Sequence, residues 1–191
     1  MGRDDRGPAP VRVEVLIVAA RDAAVYYRRV DGDLPRDAQP DLVAAGLVSS
    51  PVSARPVAVS AGQGGVQRDG PQPDWAPPPL TILHSTSWRF DAGRVVLTYV
   101  AVLDGVPDAD AVPLVSRELA HSGDPAAPSP PHVAADAVVA HALRHLAWLR
   151  DTDEVVATAL ASVPNVWVVL DGFEPGLAGG IPALYEAAVR G

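Results

Sequence analysis

LTILHSTSWRFDAGRVVLTYVAVLD, residues 80–104, decides the fold, because strand pattern, turn chemistry and clustered polar side chains coincide there. Asp91-Ala92-Gly93 reads as a three-residue hairpin loop in which Gly93 takes the left-handed conformation that closes such turns. Side chains alternate along a strand, so the loop sets the register. Trp88 then faces Val96, Thr86 faces Thr98 and His84 faces Val100 on one side of the sheet. Arg89 faces Val95, Ser87 faces Leu97 and Ser85 faces Tyr99 on the other. The run Val95 to Leu103 is apolar on both faces and rich in β-branched residues, the pattern of a central strand covered from two sides.

The neighbouring strand carries the polar chemistry. His84-Ser85-Thr86-Ser87 places four hydrogen-bonding side chains in succession beside a buried strand, where unpaired polar groups are costly. Either these groups line a cleft that holds a ligand, or they satisfy one another and a loop laid over them. The candidate ligand-binding residues are accordingly His84, Thr86, Trp88 and Thr98 on one face, and Ser85, Ser87, Arg89 and Tyr99 on the other. Arg89 beside two hydroxyls suits a carboxylate or phosphate group.

The chain of 191 residues is long enough for one well-buried core, and residues 11–191 read as a single domain behind a disordered lead-in at 1–10. A formal charge of −8 argues against nucleic acid as a partner, because phosphate neutralisation needs clustered cations. Cysteine is absent, which excludes disulfides, thiolate zinc sites and a cysteine nucleophile. The opening MGRDDRGPAP does not lead into a signal peptide, and no run approaches the ~20 apolar residues of a membrane span, so a cytoplasmic protein with no membrane partner is expected. Lys is also absent; with heavy Ala, Pro, Asp and Val use, that is the composition of a high-GC genome such as an actinomycete's.

Working outward, VRVEVLIVAA (11–20) and AAVYYRRVDG (23–32) read as a second hairpin around Arg21-Asp22, which would set Glu14 opposite Arg29 and Arg12 opposite Asp31. Pro40 to Val48 reads as a short helix with Asp41 in its first turn. Arg55 to Ala61 reads as a strand, and the Gly/Pro-rich stretch 62–79 as a surface loop anchored by Trp75. A second long loop spans 105–131, with a helical island from Pro113 to His121. His132 to Arg150 is the strongest helix, its apolar stripe formed by Val138, Val139, Ala142, Leu143, Leu146 and Leu149. Asp151 with Glu154 resembles a capping box for the next helix. Asn165 to Leu170 reads as a buried strand, and Ile181 to Arg190 as a terminal helix.

Tests for chemistry return little. His141 and His145 have the spacing to share a metal, but Ala142 stands where a metalloprotease needs Glu, so no metal site is assigned. Asp151, Asp153 and Glu154 suit a helix start better than a metal. GLAGG before Ile181 lacks a P-loop Lys and Rossmann spacing, and no serine sits in a GxSxG elbow. No cofactor is implied.

The stretch VRVEVLIVAARDAAVYYRRVDG resembles the opening hairpin of Nudix hydrolases. The order hairpin, short helix, strand, hairpin, long helix is similar to their sandwich over residues 11 to 150. The resemblance implies a sheet between helices, but the Gly-x5-Glu-x7-Arg-Glu-x2-Glu-Glu box that holds Mg²⁺ in that family is missing. Residues 31 to 80 contain no glutamate. The expectation is therefore an α+β domain with a mainly antiparallel or mixed sheet built from two hairpins and sandwiched by helices. Its leading function is non-catalytic binding of a small molecule or a protein, a second copy of the chain included. The alternative is a Nudix-like hydrolase of a phosphorylated small molecule, with metal ligands drawn from Asp residues and Glu118, Glu154 or Glu174.

Overall fold

The computed structural model describes residues 10–49, 80–105, 109–120, 130 and 132–177. The expected lead-in before Pro10, the strand at 55–61, the loop at 62–79 with Trp75 and the helix at 181–190 lie outside the described residues. Within them the elements run β1 (Val11–Arg21), β2 (Ala24–Asp33), α1 (Pro40–Ser49), β3 (Leu80–Asp91), β4 (Arg94–Leu103), β5 (Val112–Pro113), α2 (Ala135–Thr152), α3 (Glu154–Ala161) and α4 (Pro164–Leu170).

The strands form one mixed sheet in the order β3-β4-β1-β2-β5. The two hairpins are antiparallel, and they join through a parallel pairing of β1 with β4. The expected α+β class and two-hairpin sheet are therefore present. The middle strand, however, is β1, with β4 beside it. VRVEVLIVAA is buried from Val13 to Ala20 on both faces, as a strand covered from two sides must be.

On one face, called here the helix side, Leu16, Val18, Val100, Val102 and Ile82 pack against the apolar stripe of α2 and against α3 and α4. On the other, the α1 side, Val13, Val15, Ile17, Tyr99 and Ala101 pack against Ala44 and its neighbours. Burying each such side chain stabilises the fold by roughly 1.5–3 kcal/mol before conformational entropy is subtracted.

Both hairpin turns are tighter or later than expected. The β3–β4 turn is the two residues Ala92-Gly93, with Asp91 paired to Arg94. Both turn residues have positive φ, 47° and 80°, the geometry that matches the twist of adjoining strands. This moves Trp88 opposite Leu97 and Arg89 opposite Val96, one step from the expected register. A bulge at Thr86 absorbs the step, so Ser85 still faces Tyr99 and His84 still faces Val100. The β1–β2 turn is Asp22-Ala23, which shifts the register by two and sets Glu14 opposite Asp31 and Arg12 opposite Asp33. A two-residue shift keeps every side chain on its face. The expected pairs survive as diagonals, Arg12–Asp31 at 2.8 Å and Arg29–Glu14 at 3.6 Å.

Three further expectations are corrected. The island at 113–121 is not helical: Val112-Pro113 pairs with Tyr26 and Tyr27 of β2, and the chain continues irregularly to Ala120. Asn165 to Leu170 is a helix, because Pro164 at its first position presets a helical φ. The cap of α3 is Asp153, whose carboxylate accepts from the amides of Val155 and Val156, while Asp151 lies in the last turn of α2.

Candidate functional site

The bulge at Thr86 redistributes the polar residues of β3. His84, Ser87 and Arg89 fall on the helix side with Thr98, whereas Ser85 and Trp88 fall on the α1 side with Tyr99. The two expected faces, His84 with Trp88 and Ser85 with Arg89, do not form. An unpaired bulge residue leaves no trace in composition or periodicity, so nothing in the sequence marks this exchange.

Most of these groups have partners within the chain. Thr86 is buried and donates to the carbonyl of Thr98 at 3.2 Å. Arg89 spans β4 to grip Glu14 on β1 with both terminal nitrogens, at 2.8 and 3.0 Å, and also donates to the hydroxyl of Thr98. That hydroxyl donates in turn to Glu14 at 3.1 Å. Hydrogen bonding to Glu14 raises the Arg89 pKa above its ordinary value, against the opposing effect of burial. Both of its terminal nitrogens are therefore engaged within the sheet. On the α1 side, Tyr99 donates to Asp41 at 2.6 Å, and burial followed by that bond pushes the phenol up to about 12.

His84 belongs to a second cluster. Its ring stacks on His145 at 5.4 Å, and His145 stacks on Trp148 at 5.8 Å. His145 stands outside the expected apolar stripe of its helix, yet it is buried against β3. Burial lowers the pKa of both histidines, with Asp153 opposing it at His84 and His84 reinforcing it at His145. His141, one turn earlier, is lowered by burial and then by Arg144. Among the described residues no three His, Asp or Glu side chains converge as metal ligands would.

Two aromatic side chains of β3 are exposed. Trp88 is 71% exposed and Phe90 66% exposed. They are two positions apart and so lie on one face, the α1 side. Phe90 was not among the expected site residues, although its spacing from Trp88 was readable. β3 ends the strand order, and among the described residues no strand pairs with its outer side. The opposite edge is β5, only Val112 and Pro113, and proline offers no amide donor.

Next to β3 on the helix side stands an acidic turn. α2 starts by β2, where Asp136 accepts from Tyr27 at 2.7 Å, and reaches β3, where His145 meets His84. Beyond His145 the chain turns into α3, which packs on β3, and Asp151, Asp153 and Glu154 around that turn are exposed. A hollow between the end of β4 and the start of α4 has room for about one water, too little for a metabolite. No protein-family model matches the chain, and no curated protein or solved structure matches it.

Proposed function

We propose that this protein is a non-catalytic interaction module that takes an extended segment of a protein partner onto the outer edge of β3. One observation carries the reading: a twelve-residue outer strand presents Trp88 and Phe90 to solvent side by side. An unpaired edge is a template for another strand, because its outward amides and carbonyls need partners. Native edges are commonly blunted by short length, proline or outward charge. β5 has the first two features, whereas β3 is long, contains no proline, and its only arginine is turned inward to Glu14. Main-chain bonds would supply affinity, and the two rings would select apolar side chains at alternate positions.

The hydrolase alternative needs several carboxylates in one place. Among the described residues, Glu14 is clamped by Arg89, Glu174 pairs with Arg144, and Glu154 opens α3 beside Asp153. That dispersal favours the binding reading.

Photocrosslinking tests it. With p-benzoylphenylalanine in place of Phe90, irradiation in a cell extract is expected to give a discrete adduct, a second copy of the chain being one admissible partner. The same group in place of Val168, exposed on α4, is expected to give none. Adducts of equal yield at both positions, or none at Phe90, would overturn the proposal.

A further inference from the structure

We infer that the stack of His84 on His145 is an acid-sensitive latch between β3 and α2, closed while at most one of the two rings is protonated and released by the second proton. The rings come from different elements and lie 5.4 Å apart, at 29° to each other. Trp148, three positions beyond His145, continues the stack at 5.8 Å and 16°. His145 is buried in this seam and His84 is half-buried. One charge is tolerable there, because an imidazolium over the face of a tryptophan is attracted by the ring. Two are not, since like charges this close and largely out of water oppose each other.

The groups around the stack leave that balance in place. Burial is the largest influence on His84, His141 and His145, and at each it favours the neutral ring. At His84 it is opposed by Asp153 at the start of α3, whose carboxylate already accepts two amides of its own helix. At His145 the charge of His84 reinforces burial, the Gly176 carbonyl beyond α4 opposes it, and His141 adds a smaller push the same way as His84. Arg144 on α2 stands beside His141 and is paired with Glu174. Asp171, at the end of α4, is turned to Arg150, and β4 sets Val100 opposite His84. Both rings of the stack therefore bind protons less readily closed than open. The opening constant rises as the pH falls below about 6.5, the ordinary value of a free imidazole.

Amide exchange of the full chain between about pH 7.5 and about pH 5, corrected for intrinsic rates, tests the latch. Protection over Leu143 to Leu149 of α2 is expected to fall by about tenfold or more across that range, with an uptake of more than one proton per opening. At the acid end these amides should exchange about tenfold faster than those of Leu16 to Val18 in β1, because the release is local. His84→Phe, which keeps an aromatic ring in the stack and removes its titration, should reduce the uptake by about one proton. Undiminished uptake in that variant would overturn the latch. So would protection that does not change with pH, or equal protection in α2 and β1, since the chain would then unfold as a whole. A ring-proton NMR titration of the unaltered chain needs no variant to fold. His84 and His145 are expected to titrate in two separate steps, both below about pH 6.5, and a single shared step or either ring titrating at or above that value would overturn the proposal.

Discussion

Arg89 and Glu14, 75 positions apart, close a bidentate ion pair that reaches from β3 over β4 to β1, with the Thr98 hydroxyl bonded to both. The pair lies where the helix layer no longer covers the sheet, and Arg12, Arg29, Asp31, Asp33 and Arg94 extend it as a charged layer around that end. It also turns the one arginine of β3 inward, away from the strand's outer side.

Removing one member strands the other. Arg89→Ala is expected to destabilise the fold by about 2–4 kcal/mol, toward the low side of a broken buried pair because Arg29 still stands 3.6 Å from Glu14. The double variant Glu14→Leu with Arg89→Met should recover most of that loss. Urea unfolding midpoints check both, and an unchanged midpoint for Arg89→Ala contradicts the role given to the pair.

Acid should weaken the packing of α2 on β3. His84, His141 and His145 all have lowered pKa values in the folded protein, chiefly from burial. The unfolded chain therefore takes up protons at higher pH than the folded one. Stability is complete above about pH 6.5 and falls as the pH drops from there toward the depressed folded values. The thermal midpoint should decline over that window, and His145→Gln should make the decline shallower. Equal slopes in the two proteins contradict the assignment.

Glycine should stabilise one turn. Ala23 has φ 60°, a conformation that costs an L-residue roughly 1–2 kcal/mol. Ala23→Gly is expected to add about 1 kcal/mol, a rise of roughly 2–4 °C in melting temperature for a chain of this size. Calorimetry decides it, and a lower melting temperature would place strain elsewhere.

Asp136 fastens the irregular stretch after β5 to the start of α2. Its carboxylate accepts from Tyr27 and from the amides of Val115 and Ser116. These bonds, Tyr27's first, hold its carboxyl below the usual range despite the opposing effect of burial. Asp136→Ala should cost about 2 kcal/mol and speed exchange at the Val115 and Ser116 amides. Exchange at those two amides left unchanged would count against this fastening role.

Local alternation made both hairpins legible. Even a wrong turn in the first kept each side chain on its face, because the error was two residues. The second hairpin was legible only from Ile82 to Ser85, since a bulge at Thr86 is set by how β3 twists against β4. Asn165 to Leu170 was misread as a strand for another reason: short apolar runs suit a buried strand or a buried helix equally, and Pro164 was the deciding signal. The polar row was legible as chemistry but not as geometry. Its strongest partner, Glu14, is distant in the chain, although an acid inside VRVEVLIVAA already called for one.

Amide hydrogen exchange along β3, followed on the full chain, reads out the outer edge itself. Strand addition predicts fast exchange at alternate amides between Thr81 and Phe90 in the free chain. The amides of β4, paired on both sides, should exchange slowly throughout. Protection of every β3 amide would contradict an open edge as the working surface.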